Sequence, residues 1–392
     1  MSTNFTYFAD MSRKGIFSGH IQAMVYDRSK PFNSLPLLPP TGIEEDVDIL
    51  KKLVSSSRAL ASVDGKVQRL PNPSMLVNTI SLQEAKASSE IENIFTTEDE
   101  LYKAVSDTIQ EGQASPSTKE VLRYRESLWE GYRRIQEKGT IDLDGIVAIF
   151  SKIKNTSGGI RPPHSLTVIR RGQSEFRAGE IIYTPPRGPG IVEHLMANLL
   201  DYLSDKVDPN TDPLLKMCIS HYQFEAIHPF PDGNGRSGRI LNLLYLVNKG
   251  LLNHPILYLS KYIIVHKDDY YHHLAGVTQA GKWKPWILYI LDAVEQTAKL
   301  TNQLITNILE QMESTLEHGR ETIKWYTKEI NELLFSQPYL KPKLVGDRLK
   351  IASRTTLNKY FSELQAAGML AQIKDGREVF YINRDLVKIL EG

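Results

Sequence analysis

Between His228 and Arg239 the chain reads His-Pro-Phe-Pro-Asp-Gly-Asn-Gly-Arg-Ser-Gly-Arg. This short segment carries an imidazole, a carboxylate, a Gly-Asn-Gly turn and two guanidinium groups. His228 is the group here able to accept a proton near neutral pH. Asp232 offers a hard oxygen of the kind magnesium prefers beside phosphates. Gly233 and Gly235 carry no side chains, so the backbone around Asn234 can present its N–H groups to an anion. The apolar run from Ile240 to Val247 predicts a helix, which puts the turn at a helix N-terminus, where the macrodipole favours negative charge. Arg236 and Arg239 fall on its first turn and can fork onto phosphate oxygens. Each feature alone is common in structural loops. Together they predict a site that holds a magnesium-bound polyphosphate and removes a proton beside it.

The stretch resembles the signature of the Fic family (filamentation induced by cAMP), His-x-Phe-x-(Asp/Glu)-Gly-Asn-Gly-Arg-x-x-Arg, at every specified position. The resemblance implies a protein adenylyltransferase that moves AMP from ATP to a Ser, Thr or Tyr hydroxyl of a protein target, itself included, with Mg²⁺. It implies that His228 is the catalytic base and Asp232 the metal ligand. Gly233, Asn234, Gly235, Arg236, Ser237, Gly238 and Arg239 would bind the nucleotide. The Asn234 side chain would lie on the α-phosphate, and the two arginines would take the β- and γ-phosphates. Phe230 is the exception, an aromatic that anchors the loop in the core.

A second match lies upstream. A helix predicted over residues 73 to 94 contains Ser88-x-x-x-Glu92-Asn93, similar to the family's inhibitory pattern (Ser/Thr)-x-x-x-Glu-(Gly/Asn). Ser88 and Glu92 share one helix face. The resemblance implies that Glu92 pairs with Arg239 and keeps ATP from seating its γ-phosphate. In some relatives the same glutamate supports removal of AMP, so a de-AMPylase or a bifunctional enzyme at this site is one alternative. A nucleotide-sensing winged-helix transcriptional regulator is another.

Residues 1 to about 42 are rich in prolines and turn formers, which predicts an extended strap over another surface. Apolar periodicity predicts helices over 44–60, 118–137, 142–152, 192–203 and 214–227, the last apolar on nearly all sides and therefore buried. Gly250 is the expected C-cap of the signature helix. β-branched runs on either side of a polar 172–179 tip predict a β-hairpin over 166–185. In Fic proteins a hairpin here is the flap that aligns a target peptide by strand addition. Tyr271, on a helix beginning near Lys267, is implied to pack against adenine. Its neighbours His272 and His273 point apart on a helix and are not expected to bind metal. Trp283 and Trp286 are expected to close the core. A long helix over 288–319 leads to helices at 322–334, 343–349 and 353–367, the last with Ser353 as N-cap. Strands then flank Lys374-Asp-Gly-Arg377, the order of a winged helix. Arg354, Lys359, Lys374 and Arg377 could meet DNA phosphates.

The expected fold is mainly α: a Fic-type helical bundle with a β-hairpin flap and a C-terminal winged helix-turn-helix. An N-terminal region spans residues 1–117, the core 118–300, a linker helix 301–320 and the winged module 321–392. A formal net charge of +1 creates no overall field for nucleic acid, membrane or acidic substrates. The single cysteine, Cys218, excludes an intramolecular disulfide and fits a reducing cytoplasm, with a packing role for the thiol itself. No transmembrane run and no signal pattern are visible, so a cytoplasmic location is expected. ATP and a protein target docked on residues 166–185 are the expected partners. A homodimer and, through the winged helix, DNA are also admitted.

Overall fold

The computed structural model describes residues 26–41, 43, 46–68, 73–106, 112–171, 179–376 and 378–391. Its first helices are α1 (Val47–Val67), α2 (Pro73–Ile91) and α3 (Glu98–Val105). Asp46 caps α1 by accepting from the Asp48 and Ile49 N–H groups, so the helix starts later than residue 44. Val63 and Val67 extend its buried stripe past residue 60. The short α3 has no counterpart in the sequence reading. Thr97 caps it, and three acidic residues occupy its first turn. α4 (Pro116–Lys138) and α5 (Leu143–Lys154) form a helical hairpin, turned by Gly139 at φ 70°.

Next comes the flap. β1 (Ile169–Arg171) and β2 (Glu180–Tyr183) pair antiparallel, with Ile169 opposite Tyr183 and Arg171 opposite Glu180. The predicted tip lies mostly outside the described residues, as do Arg377 and the first part of the strap. The described part of the strap does lie over other elements. Phe32 N–H donates to Thr184 O at 3.0 Å, and Gln223 Nε2 donates to Pro36 O at 2.9 Å.

α6 (Ile191–Leu203), α7 (Pro213–Ile227) and α8 (Asn234–Asn248) follow. α7 is covered on almost every side, as its lack of a polar face requires. α9 (Leu259–Val265), which the sequence reading missed, and α10 (Lys267–Ala280) pack beside α11 (Trp283–Thr322). α11 is one continuous helix of 40 residues, about 60 Å long at 1.5 Å per residue. It lies along α1 past its midpoint, where Lys66 Nζ reaches Thr306 Oγ1 at 2.6 Å. Its second half enters the C-terminal module, where Asn331 Nδ2 donates to Met312 O at 2.9 Å.

That module contains α12 (Lys328–Leu334), β3 (Tyr339–Leu340), α13 (Pro342–Leu349), α14 (Arg354–Ala366), β4 (Ala371–Asp375), β5 (Glu378–Ile382) and α15 (Arg384–Glu391). Its sheet runs β3-β5-β4, all antiparallel. Ser353 caps α14 as expected. Thr322 closes α11 instead of opening the next helix, because Thr327 supplies the N-cap of α12. β3 and α15 were not legible beforehand. Among the described residues no helix is long and apolar enough to cross a membrane.

One buried cation joins the flap to the signature. Arg161 is 2% exposed. Its Nε donates to His228 O at 2.8 Å, and its Nη2 donates to Ile227 O at 3.1 Å and to Pro186 O. The C-terminal carbonyls of α7 have no intrahelical donors, and a cation there also suits the helix dipole. Tyr183 Oη adds a bond to Ala226 O at 2.7 Å, so the return strand of the flap is fixed to the same helix end. Replacing Arg161→Met strands these carbonyls and should destabilise the core by roughly 2–4 kcal/mol, read as a lower urea midpoint at unchanged slope.

Candidate active site

His228 lies at the end of α7 in the left-handed region, φ 50° and ψ 60°, which is unfavourable for a residue with a β-carbon. The conformation is held by its own N–H to Phe224 O at 3.0 Å and by Arg161 on its carbonyl. It swings the imidazole off the helix end toward the turn. Burial, with the nearby Arg161 charge, pushes the imidazole pKa down to about 4, so the ring is neutral at pH 7. Its Nδ1 is sealed from solvent, and the Glu225 backbone beside the ring opposes part of that downward shift.

The loop after His228 closes on itself. Asn234 Oδ1 accepts from Phe230 N–H, and Asn234 Nδ2 donates to Phe230 O, both at 2.8 Å. Asn234 therefore braces the turn with both ends of its carboxamide. Phe230 is fully buried, stacked on Phe150 at 4.1 Å, as an anchor should be. Gly233, at φ 76°, precedes α8 without any side-chain cap on the first-turn N–H groups. Such a bare helix start suits an anion.

An anion is already there. Arg239, 1% exposed, donates from Nη2 to Glu92 Oε1 at 2.7 Å and to Ser88 O at 2.8 Å, while its Nε donates to Ser88 Oγ at 2.8 Å. Burial opposes the Arg239 charge, but Glu92 together with Tyr270 and Tyr124 outweighs it, and the pKa is raised. The carboxylate also lies against Gly235. A β-carbon at 235 would stand 2.3 Å from Glu92 Oε1 and 2.9 Å from Arg239 Nη1, so glycine alone leaves the space.

The end of α2 explains how Glu92 gets there. α2 stops at Ile91, short of the expected 94, because Asn93 takes φ 61°. Ile94 N–H then bonds Ser89 O and Asn93 N–H bonds Glu90 O, each at 3.0 Å, the pattern of a Schellman ending. Only Gly or Asn adopts that backbone readily, which is a physical reason for asparagine after the glutamate. Lys267 Nζ also binds Ile91 O at 2.6 Å. Upstream, Glu84 is 1% exposed and receives Ser260 N–H at 2.9 Å, Ser260 Oγ at 2.5 Å and Tyr124 Oη at 3.2 Å. Burial raises its pKa to about 7 against the pull of those donors.

A second charge cluster, invisible in the sequence reading, lies on the other side of the turn. Arg236 Nη1 donates to Glu120 Oε1 at 2.6 Å, and Lys154 Nζ stands 2.6 Å from Asp232 Oδ2 and 3.5 Å from Glu120 Oε1. Burial raises the Asp232 and Glu120 pKa values, but the facing cations outweigh it and hold both below the ordinary carboxylate range. Among the described residues there is no group of three or more His, Cys, Asp or Glu side chains fit for a metal. A single carboxylate nevertheless fits magnesium, which keeps its waters and shares substrate phosphates. The Lys154 ammonium marks a cation position at Asp232.

Of the remaining residues, Tyr271 packs beside Tyr270 at 5.2 Å between ring centres. Burial, with the Glu92 charge second, pushes its phenol up to about 12, which places it near the Arg239–Glu92 pair. Ser237 is buried with its hydroxyl unpartnered. Gly238 faces α7 instead of the turn: a β-carbon there would lie 2.6 Å from Glu225 Oε1 and 3.0 Å from Phe224 Cδ1. Its role is close helix packing. The sealed, unpartnered Glu225 Oε1 accompanies a pKa raised by burial to about 7. On the C-terminal module, Arg354, Lys359 and Lys374 are exposed.

Three family models match the chain: Fic/DOC family N-terminal over residues 50–133, Fic/DOC family over 140–246, and Protein adenylyltransferase SoFic-like, C-terminal domain, over 308–386. Proteins named Protein adenylyltransferase Fic from Drosophila willistoni and Aedes aegypti are each 30% identical over 157 and 162 residues. Those matches cover 38% and 40% of this chain but 30% and 31% of the relatives, so the chain spans under a third of their length. The crystal structure of a Fic family protein from Desulfovibrio desulfuricans G20 superposes with a TM-score of 0.53 at 20% identity, covering 88% of this chain and 98% of that one. That likeness concerns the fold. With the signature intact on the α7–α8 turn and both Fic models matched in order, the chain belongs to the Fic/DOC family.

Proposed function

We propose that the protein is an adenylyltransferase that moves AMP from ATP to a hydroxyl of a protein target and is held back by its own Glu92. The observation that carries the reading is the Glu92 carboxylate, seated on buried Arg239 and against Gly235 at the start of α8. A site that already binds an acidic group in this position is built for phosphate. The names of the relatives favour AMP as the transferred group.

In this reading Arg239 and Arg236 exchange Glu92 and Glu120 for oxygens of the β- and γ-phosphates. The bare N–H groups at the start of α8 cradle the phosphate chain, and Tyr271 packs against adenine. Asp232 would hold Mg²⁺, which when bound neutralises charge on the α- and β-phosphate oxygens. A target strand docks on β1–β2 and brings its hydroxyl to His228. The Nε2 of His228 takes the hydroxyl proton as the oxygen bonds to the α-phosphorus. The bond from that phosphorus to the bridging oxygen breaks, and pyrophosphate leaves. Because the imidazole is neutral at pH 7, no prior deprotonation is needed. Positioning and charge neutralisation supply the remaining rate gain.

Removing the carboxylate tests the inhibitory role. Glu92→Gly should increase protein labelling from α-labelled ATP by on the order of tenfold or more, since about 1.4 kcal/mol of opposition to nucleotide seating is a factor of ten. Equal labelling of parent and variant would remove Glu92 from the account. In the Glu92→Gly background, His228→Ala should keep ATP affinity while transfer falls by roughly 10²–10⁴-fold. Undiminished transfer would reassign the base.

A further inference from the structure

Two acidic side chains and two cations surround the turn opposite Glu92, and their distances describe an exchange. Arg236, with 2% of its side chain exposed, is held by Glu120 at 2.6 Å. Asp232 is held by Lys154 at 2.6 Å. The same Lys154 Nζ is 3.5 Å from Glu120 Oε1, so one ammonium already stands between both carboxylates. Lys154 belongs to the last turn of α5 and Glu120 to the first part of α4. The Lys154 stem is also packed: a β-carbon on Gly233 would meet its Cδ at 3.2 Å.

We infer that Lys154 is a built-in counter-cation of Asp232 that gives way to the divalent metal and passes to Glu120. The inference rests on the reading of Asp232 as the metal ligand and Arg236 as a phosphate ligand. Before nucleotide binds, the pairs are Arg236 with Glu120 and Lys154 with Asp232. Once Arg236 turns to a phosphate, Glu120 loses its partner just as a metal on Asp232 releases Lys154. The two freed groups are within one small side-chain rotation of each other. Every charge therefore keeps a partner through the exchange, and no carboxylate is left bare beside the phosphates. Lys154 is a positioning residue in this scheme. It shields the cradle from the repulsion of Asp232 and Glu120 when metal is absent, and so lessens the dependence of nucleotide binding on metal.

The test is ATP binding by calorimetry in the full-length Glu92→Gly protein, with Mg²⁺ and with EDTA. For Lys154→Met, which keeps the packed stem, affinity without metal should fall more than affinity with Mg²⁺. The ratio of the two should rise about three- to fivefold, the scale of a partly exposed ion pair. Lys154→Arg, which keeps the charge, should leave the ratio near that of the parent. A residue of purely structural importance would lower the melting temperature without moving the ratio. If Lys154→Met is not folded by circular dichroism, Lys154→Gln replaces it. An unchanged ratio in the charge-neutral variant, with ATP still bound, overturns the exchange and leaves the adenylyltransferase reading intact. Failure of the Glu92→Gly parent to bind ATP under either condition overturns both.

Discussion

A guanidinium removed from water must have an anion beside it, and the site is organised by that need at Arg239. Its charge is 1% exposed and has one carboxylate within reach of a hydrogen bond, Glu92, supported by the hydroxyl and carbonyl of Ser88. Leaving such a group unpaired is strongly destabilising, typically by about 3–5 kcal/mol. The state without Glu92 is therefore poor unless another anion replaces it. A phosphate in the same cradle meets the same donors and the same helix dipole. In the proposed reading, inhibition and nucleotide binding are two solutions to one desolvation problem. Gly235 is the shared condition, because a methyl group there would exclude the carboxylate from contact.

The geometry of the pair is fixed from both sides, which matters because ion pairs gain little unless their partners are preorganised. On the arginine side, α8 is buried along nearly its whole length and cannot shift without repacking α7. On the glutamate side, the turn at Asn93, the Lys267 bond to Ile91 O and the buried Glu84 anchor set the height of α2 and where it stops. Glu84 is a costly anchor. Its carboxyl group is buried and its pKa is lifted to about 7, so burial opposes its charge while three donors favour it.

What was legible in the sequence follows the range of the forces involved. The signature, the inhibitory pattern, the helical stripes and the flap depend on residues close together in the chain, where spacing carries the information. The Glu92–Arg239 pair crosses 147 positions and still emerged, because each partner sat in a recognisable local pattern. Arg161, Glu120 and Lys154 had no such pattern. Each is a single charged residue whose meaning comes from a carbonyl or an opposite charge far away in sequence. For Asn234 the residue was legible, and the turn geometry adds that its carboxamide braces Phe230. Short elements such as α3, α9 and β3 were missed because they hold together through tertiary contacts more than through periodicity.

The same distinction between local and distant forces governs the C-terminal module. Among the described residues its contacts with the N-terminal helices include Tyr339, which lies 5.6 Å from Tyr102 and donates to Asp99 at 2.8 Å, and Lys103, which pairs with Asp375, 56% exposed. An aromatic pair contributes about 0.5–1.5 kcal/mol and an exposed ion pair about 1 kcal/mol or less. These bonds alone would hold the module weakly. α11 changes the balance, since Thr301, Ile305, Ile308 and Met312 are buried along one unbroken helix that leads from the catalytic core into the module. Bending it would break consecutive backbone bonds as well as this packing. The module is thus positioned by a rigid helix, and the contacts at Tyr102 and Lys103 follow from that placement. Tyr102 also accepts a bond from Gln83 of α2 at 2.8 Å, so the surface that the module covers is continuous with the helix that carries Glu92.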